Sequence, residues 1–314
     1  MRKLHVVWGL VGVVVAAVPA WATVIDTRPA IPDLVGGTDV IVVGKITKVP
    51  KDFTAALPKA GAKKELYQVI EVSVQQDIQG GKGLTNIKIG IPCNTIISGG
   101  KTIYLPLVMV KQGQEACFFV TQHYSKGFYE LGLSNMLVQD ANYKTDLELT
   151  KRCVQLLATP DEGLKSKNAE DRLLTTAMLI RKYRGPLDTF AVSGLTPLNP
   201  PPKEKIKEEP IPAGQSKLIL GILRDVDWKT SENPTPSSPA NLFVRLGLKE
   251  GDGWKFKQGQ VNFLDGKAVL KARNDLAAAA KAWLKTHADT YRIKRIVMEE
   301  SARVEGKDSR KDKR

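Results

Sequence analysis

The chain has 314 residues, 42% of them hydrophobic, with a formal net charge of +14. That length is enough for two ordinary domains. With only three histidines, one of them (His5) inside an N-terminal leader, a three-histidine zinc site is excluded.

The first residues read as a secretory signal peptide over residues 1–22. Arg2 and Lys3 give a basic start, Val6 to Val18 an apolar run, and Ala20-Trp21-Ala22 a small-x-small cleavage site after Ala22. The alternative is an uncleaved anchor, against which the run is short of the roughly 20 residues that span a bilayer. The leader directs the chain to the periplasm, cell envelope or exterior. Loss of Arg2 and Lys3 leaves 45 basic against 33 acidic residues, a charge of +12. On an exported protein this surplus points to anionic envelope polymer, lipid headgroups or an acidic protein partner rather than to nucleic acid, although plain solubility accounts for it equally. Between Arg28 and Arg152 every basic residue is lysine or histidine. The first half therefore lacks the planar fork that grips oxyanions with two hydrogen bonds.

Residues 23–145 read as β-strands. "DVIVVGKITKV" (Asp39–Val49) is β-branched and short. "YQVIEVSV" puts Ile70, Val72 and Val74 on one face, and "NIKIGI" repeats the alternation with Ile87, Ile89 and Ile91. "TIYLPLVMV", "EACFFVTQ" and "GFYELGL" follow. Six strand candidates with glycine turns at Gly80-Gly81, Gly99-Gly100 and Gly113 predict a small barrel or sandwich. Gly99-Gly100-Lys101-Thr102 imitates the end of a phosphate-binding loop. The glycine that loop needs is Thr95, and a strand rather than a helix follows Lys101, so no nucleotide or other cofactor is expected.

From residue 146 the pattern turns helical. Residues 146–196 form a helical segment packed on the barrel. "NAEDRLLTTAMLIRKYRGP" is its best-marked helix, with Asn168 as cap, Asp171 in capping-box position, and Gly185-Pro186 as stop. Residues 197–216 hold six prolines and alternating charge and read as a linker. Residues 217–300 form a C-terminal α or α+β domain whose last helix carries Val269, Ala272, Leu276, Ala280 and Trp283 on one stripe. Residues 301–314 are a charged tail expected to be disordered.

Chemistry-bearing residues do not assemble in the sequence. Cys93, Cys117 and Cys153 are an odd count; Cys93 with Cys117 is the candidate disulfide, and three buried free thiols the alternative. Cys117 with His123 is the one conceivable nucleophile–base pair, and no ordered third group accompanies it. His287 shares a helix face with Trp283 and reads as a packing residue. "DVDWKTSENPTP" fails as a calcium loop at Lys229, Thr230 and Pro236. No metal or catalytic residues are assigned. In "TYRIKRIV", Arg292, Lys294 and Arg295 are candidates for contact with an anionic surface, the other reading being a solvated outer face.

"DVIVVGKITKV", "YQVIEVSVQQDIQGG" and "GQEACFFVTQHYSKGFYEL" resemble the strand pattern of the oligonucleotide/oligosaccharide-binding (OB) barrel in its netrin and metalloproteinase-inhibitor (TIMP-like) form. With "AEDRLLTTAMLIRKYR" and "AWLKTHADTYRIKRIV", the chain also looks like uncharacterised secreted bacterial proteins that join such a barrel to helices. The resemblance implies an α+β protein: an N-terminal OB-like antiparallel β-barrel, then a mainly helical C-terminal region. It carries no active site across, because metalloproteinase inhibitors use an N-terminal cysteine and the first cysteine here is Cys93. The function expected is a non-enzymatic binding or interaction module for a protein or anionic envelope polymer. The alternatives are a hydrolase-type enzyme with a dispersed site at the barrel–helix junction, and electrostatic attachment through the C-terminal region.

Overall fold

The structure, a computed structural model, describes residues 30–58, 62–98, 101–185, 206–228, 237–256 and 266–298. The expected leader, the Gly99-Gly100 turn and the charged tail lie outside the described residues.

A short helix, α1 (Ile31–Gly36), leads into β1 (Val40–Lys48), β2 (Thr54–Ala56), β3 (Glu65–Gln79), β4 (Asn86–Ser98), β5 (Lys101–Pro106), β6 (Glu115–Gln122) and β7 (Tyr129–Val138). The sheet runs β2-β3-β1-β6-β7-β4-β5, and a further β3–β4 pairing closes β1, β3, β4, β6 and β7 into a five-stranded barrel. The expected antiparallel barrel is corrected at one seam: β4 and β7 run parallel, Ile89 opposite Tyr129 and Gly90 opposite Glu130. Closing five strands in this order leaves those two neighbours pointing the same way. The connectivity is that of an OB barrel, with β2 and β5 as additions.

The alternation read from the sequence fills the interior. Ile70, Val72, Ile87, Ile89 and Ile91 meet Val42, Ile46, Phe118, Val120 and Leu131 there. Each such side chain contributes about 1.5–3 kcal/mol by leaving water. Phe118 points into the barrel, whereas Phe119 points outward and is buried under the helices with Ile41, Cys117 and Leu137. Both faces of β6 are therefore covered.

The helices follow as α2 (Tyr143–Ala158), α3 (Pro160–Leu164) and α4 (Ala169–Arg184), then β8 (Ile206–Pro210), α5 (Ala213–Asp225), α6 (Pro239–Arg245), α7 (Gly266–His287) and β9 (Lys294–Met298). Asn168 caps α4, its side chain accepting from the Glu170 backbone N–H. Asp171 does not close a capping box; it accepts from Arg152 Nε at 2.8 Å and from Ser166 Oγ at 3.2 Å. Thr175 to Ile180 are buried without interruption, because α4 lies between two cores. Met178 joins α1, α2 and the outer barrel face, while Ala177, Leu179 and Ile180 join the C-terminal core of Leu220, Leu223, Phe243, Trp283 and Leu284.

The expected linker over 197–216 is corrected. Residues 197–205 lie outside the described residues, but Ile206–Pro210 is a strand paired antiparallel with β9, and α5 begins at Ala213. The charge that made this stretch read as solvated is spent internally: Glu208 meets Arg184 at 2.9 Å and Lys249 at 3.1 Å, and Glu209 meets Arg295 at 2.9 Å. β9 pairs with β8 in a two-stranded sheet of their own. Among the described residues no helix is long and apolar enough to cross a membrane.

Candidate functional site

A cleft of about 450 Å³ opens at one end of the barrel, within the usual size of ligand sites. β2 forms one lip by pairing with the start of β3, Thr54 opposite Tyr67. Val69 on β3 and Lys88 on β4 line the cleft, Lys64 enters from the segment before β3, and Ser125 and Phe128 come from the β6–β7 turn. These are the strand face and loops with which OB barrels hold oligonucleotides and oligosaccharides.

Phe128, which lines the cleft, belongs to an aromatic stack buried beneath it. Phe128 lies parallel to the His123 imidazole at 4.2 Å between ring centres, and Tyr67 meets both, His123 edge-on at 4.8 Å and Phe128 at 5.2 Å. Gly90 makes this possible: a Cβ there would collide with the Phe128 ring. The turn holds itself in place, with the Ser125 N–H donating to His123 Nδ1 at 3.1 Å and the His123 N–H to the Phe128 carbonyl at 3.2 Å. Because Nδ1 accepts, the neutral imidazole carries its proton on Nε2, which is buried and has no partner among the described residues. Burial lowers the His123 pKa, against a smaller opposing pull from Glu65.

Two carboxylates stand behind the stack. Tyr67 Oη donates to Glu65 Oε2 at a long 3.5 Å. Glu130 on β7 has its pKa raised by burial and then by Glu65. Burial, reinforced by Glu130 and Glu65, raises the Tyr67 phenol above its ordinary range, so it stays a neutral donor. Burial thus favours uncharged forms in the stack, while Lys64 and Lys88 are exposed at the cleft. The arrangement suits an anionic group between the lysines with an apolar surface against Phe128, Val69 and Ala56.

The candidates named from sequence fall elsewhere. Cys93 and Cys117 are free thiols, so the expected disulfide is not formed, and Cys153 is free as well. Cys117 points to the outer face of the barrel, buried with Ile41, Leu137 and Cys153, whereas Cys93 lies opposite Pro106 on the β4–β5 ribbon. Burial pushes the Cys117 thiol up to about 12, and the Cys153 thiol likewise. Six residues of extended chain place His123 roughly 20 Å along from Cys117. His123 packs with Tyr67 and Phe128 rather than in the core that holds Cys117, so the two form no nucleophile–base pair. His287 stacks on Trp283 at 4.7 Å, its Nδ1 3.0 Å from the Trp283 carbonyl.

The three basic candidates are engaged internally. Arg292 donates to the Ile211 carbonyl at 2.6 and 3.1 Å, Lys294 to Asp252 at 2.8 Å, and Arg295 to Glu209 at 2.9 Å. Among the described residues no group of three or more His, Cys, Asp or Glu is placed to hold a metal ion. Sequence reading missed the cleft. The only local sign of it was the lysine-rich stretch between β1 and β3. No family model matches the chain, and no curated protein or solved structure matches it.

Proposed function

We propose that this is an exported, non-enzymatic binding module of the cell envelope or exterior, and that the barrel-end cleft holds an anionic unit of an envelope polymer. The observation that carries this reading is the cleft itself: two exposed lysines, Lys64 and Lys88, over an apolar floor of Phe128, Val69 and Ala56. Lysine is a mobile point charge, suited to carboxylate or phosphate groups carried on a repeating chain rather than to one rigid oxyanion. Position supports the reading too, since the cleft lies where OB barrels take oligosaccharides. The likeness to netrin-type barrels fits a secreted adaptor of this kind.

The test is calorimetric titration of the purified chain with short uronic-acid oligosaccharides at low and at physiological salt. Binding that weakens with salt and is abolished in the Lys64→Ala/Lys88→Ala double variant is the expected result. Binding that persists unchanged in the double variant, or that is absent at low salt, contradicts the proposal.

A further inference from the structure

The junction between barrel and C-terminal core contains a group of charges that does not balance. Asp33 in α1 and Arg245 at the end of α6, 212 residues apart, form a two-pronged ion pair at 2.7 and 2.5 Å. Their side chains are only 6% and 5% exposed. A second guanidinium stands beside this pair. Arg181, in the last turn of α4, lies against Gly37, where a Cβ would sit 2.9 Å from both Nε and Nη2 and 3.0 Å from the Asp33 carbonyl. The absent side chain at Gly37 is what leaves room for the guanidinium.

Among the described residues Arg181 donates no hydrogen bond, and Arg245 Nε is buried with no partner. Burial and the neighbouring Arg245 disfavour the charge on Arg181, and Asp33 alone opposes them. Two guanidinium cations thus share one carboxylate in a region largely closed to water. Arg184, one turn further on, adds no counter-charge and is fully engaged elsewhere: it donates to Glu208 at 2.9 Å, the Lys294 carbonyl at 3.0 Å and the Arg245 carbonyl at 3.3 Å. Arg181 remains partly exposed, which gives a small ion a way in.

We propose that this junction is a binding site for a small oxyanion, held by Arg181 and the buried Nε of Arg245. Guanidinium is the side chain that grips carboxylate, phosphate or sulfate with paired N–H groups. The bound anion supplies the missing negative charge and ties α1, on the barrel, to α4 and α6. The site is separate from the cleft and does not depend on it.

The experiment is calorimetric titration of the purified chain with inorganic phosphate, and with acetate as the carboxylate arm, in chloride buffer of matched ionic strength. The readouts are binding heat and the shift in unfolding temperature. One-to-one binding of phosphate or acetate, with the unfolding temperature rising logarithmically above the dissociation constant, is expected. The arm that binds more tightly identifies the ligand class. Arg181→Gln abolishes the effect. Arg181→Lys, which keeps charge and bulk and guards against misfolding of the first variant, weakens binding at least tenfold because the fork is lost. Lys271→Ala, on the exposed face of α7 and outside both sites, leaves it unchanged. Wild type giving no heat with either anion, or Arg181→Gln retaining the shift, overturns the proposal; the second result would mark a general salting effect of phosphate.

Discussion

Asp33 and Arg245 show how much a single pair can decide. Both side chains are buried, so removing one partner leaves an uncompensated buried charge. Asp33→Asn is expected to lower stability by about 3–5 kcal/mol, read from urea unfolding. His123 gives a second prediction, on pH. Its folded pKa lies below its unfolded value of about 6.5, so the unfolded state binds the proton more readily. The stability that neutral His123 contributes is present above that value and is lost as pH falls through it toward the folded one. Glu130 has the opposite sign. Its folded pKa is raised, so its contribution is full below the unfolded value near 4.5 and is lost as pH rises through the folded one. His123→Phe should therefore flatten the fall in urea midpoint between pH 7 and pH 5.5, and Glu130→Gln should steepen it. A His123→Phe variant with an unchanged slope would remove His123 from the account.

At the scale of elements, the barrel strands were legible because a small closed sheet needs an apolar face on every strand. Ile70 with Val72, and Ile87 with Ile89 and Ile91, show that face as a period of two. Neither β8 nor the cleft was legible in this way. β8 buries little and is held by ion pairs whose partners, Arg184, Lys249 and Arg295, lie far off in sequence. The cleft floor depends on one glycine on β4 meeting a phenylalanine from the β6–β7 turn, a match that no local pattern announces. Gly90→Ala tests that match: the new methyl displaces Phe128, lowers stability by about 1–3 kcal/mol and removes ligand binding at the cleft. The measurement is urea unfolding paired with titration. A variant that binds as wild type would show that the floor has no part in recognition.

Across the whole molecule, α4 joins two cores that the sequence had divided at a linker. Met178 belongs to the barrel side and Leu179 to the C-terminal side, one residue apart on the same helix. The described tryptophans Trp228, Trp254 and Trp283 all lie on the C-terminal side, so their fluorescence reports that core alone. Met178→Ala, expected to cost about 2–5 kcal/mol, should shift the fluorescence midpoint together with the circular-dichroism midpoint, as one cooperative unit requires. Separate midpoints would mean that the two parts unfold independently. The alternation of the barrel and the capped helix were thus readable in the chain. The contacts that unite them were not, because they depend on residues as far apart as Asp33 and Arg245. The central claim, that the barrel end is where this protein binds, is tested most directly by amide NMR during titration with uronic-acid oligosaccharides. Saturable shifts at Val69, Lys88, Ser125 and Phe128 that vanish in Lys64→Ala/Lys88→Ala are the result expected. Shifts confined to the C-terminal helices, or none at any residue, would contradict it.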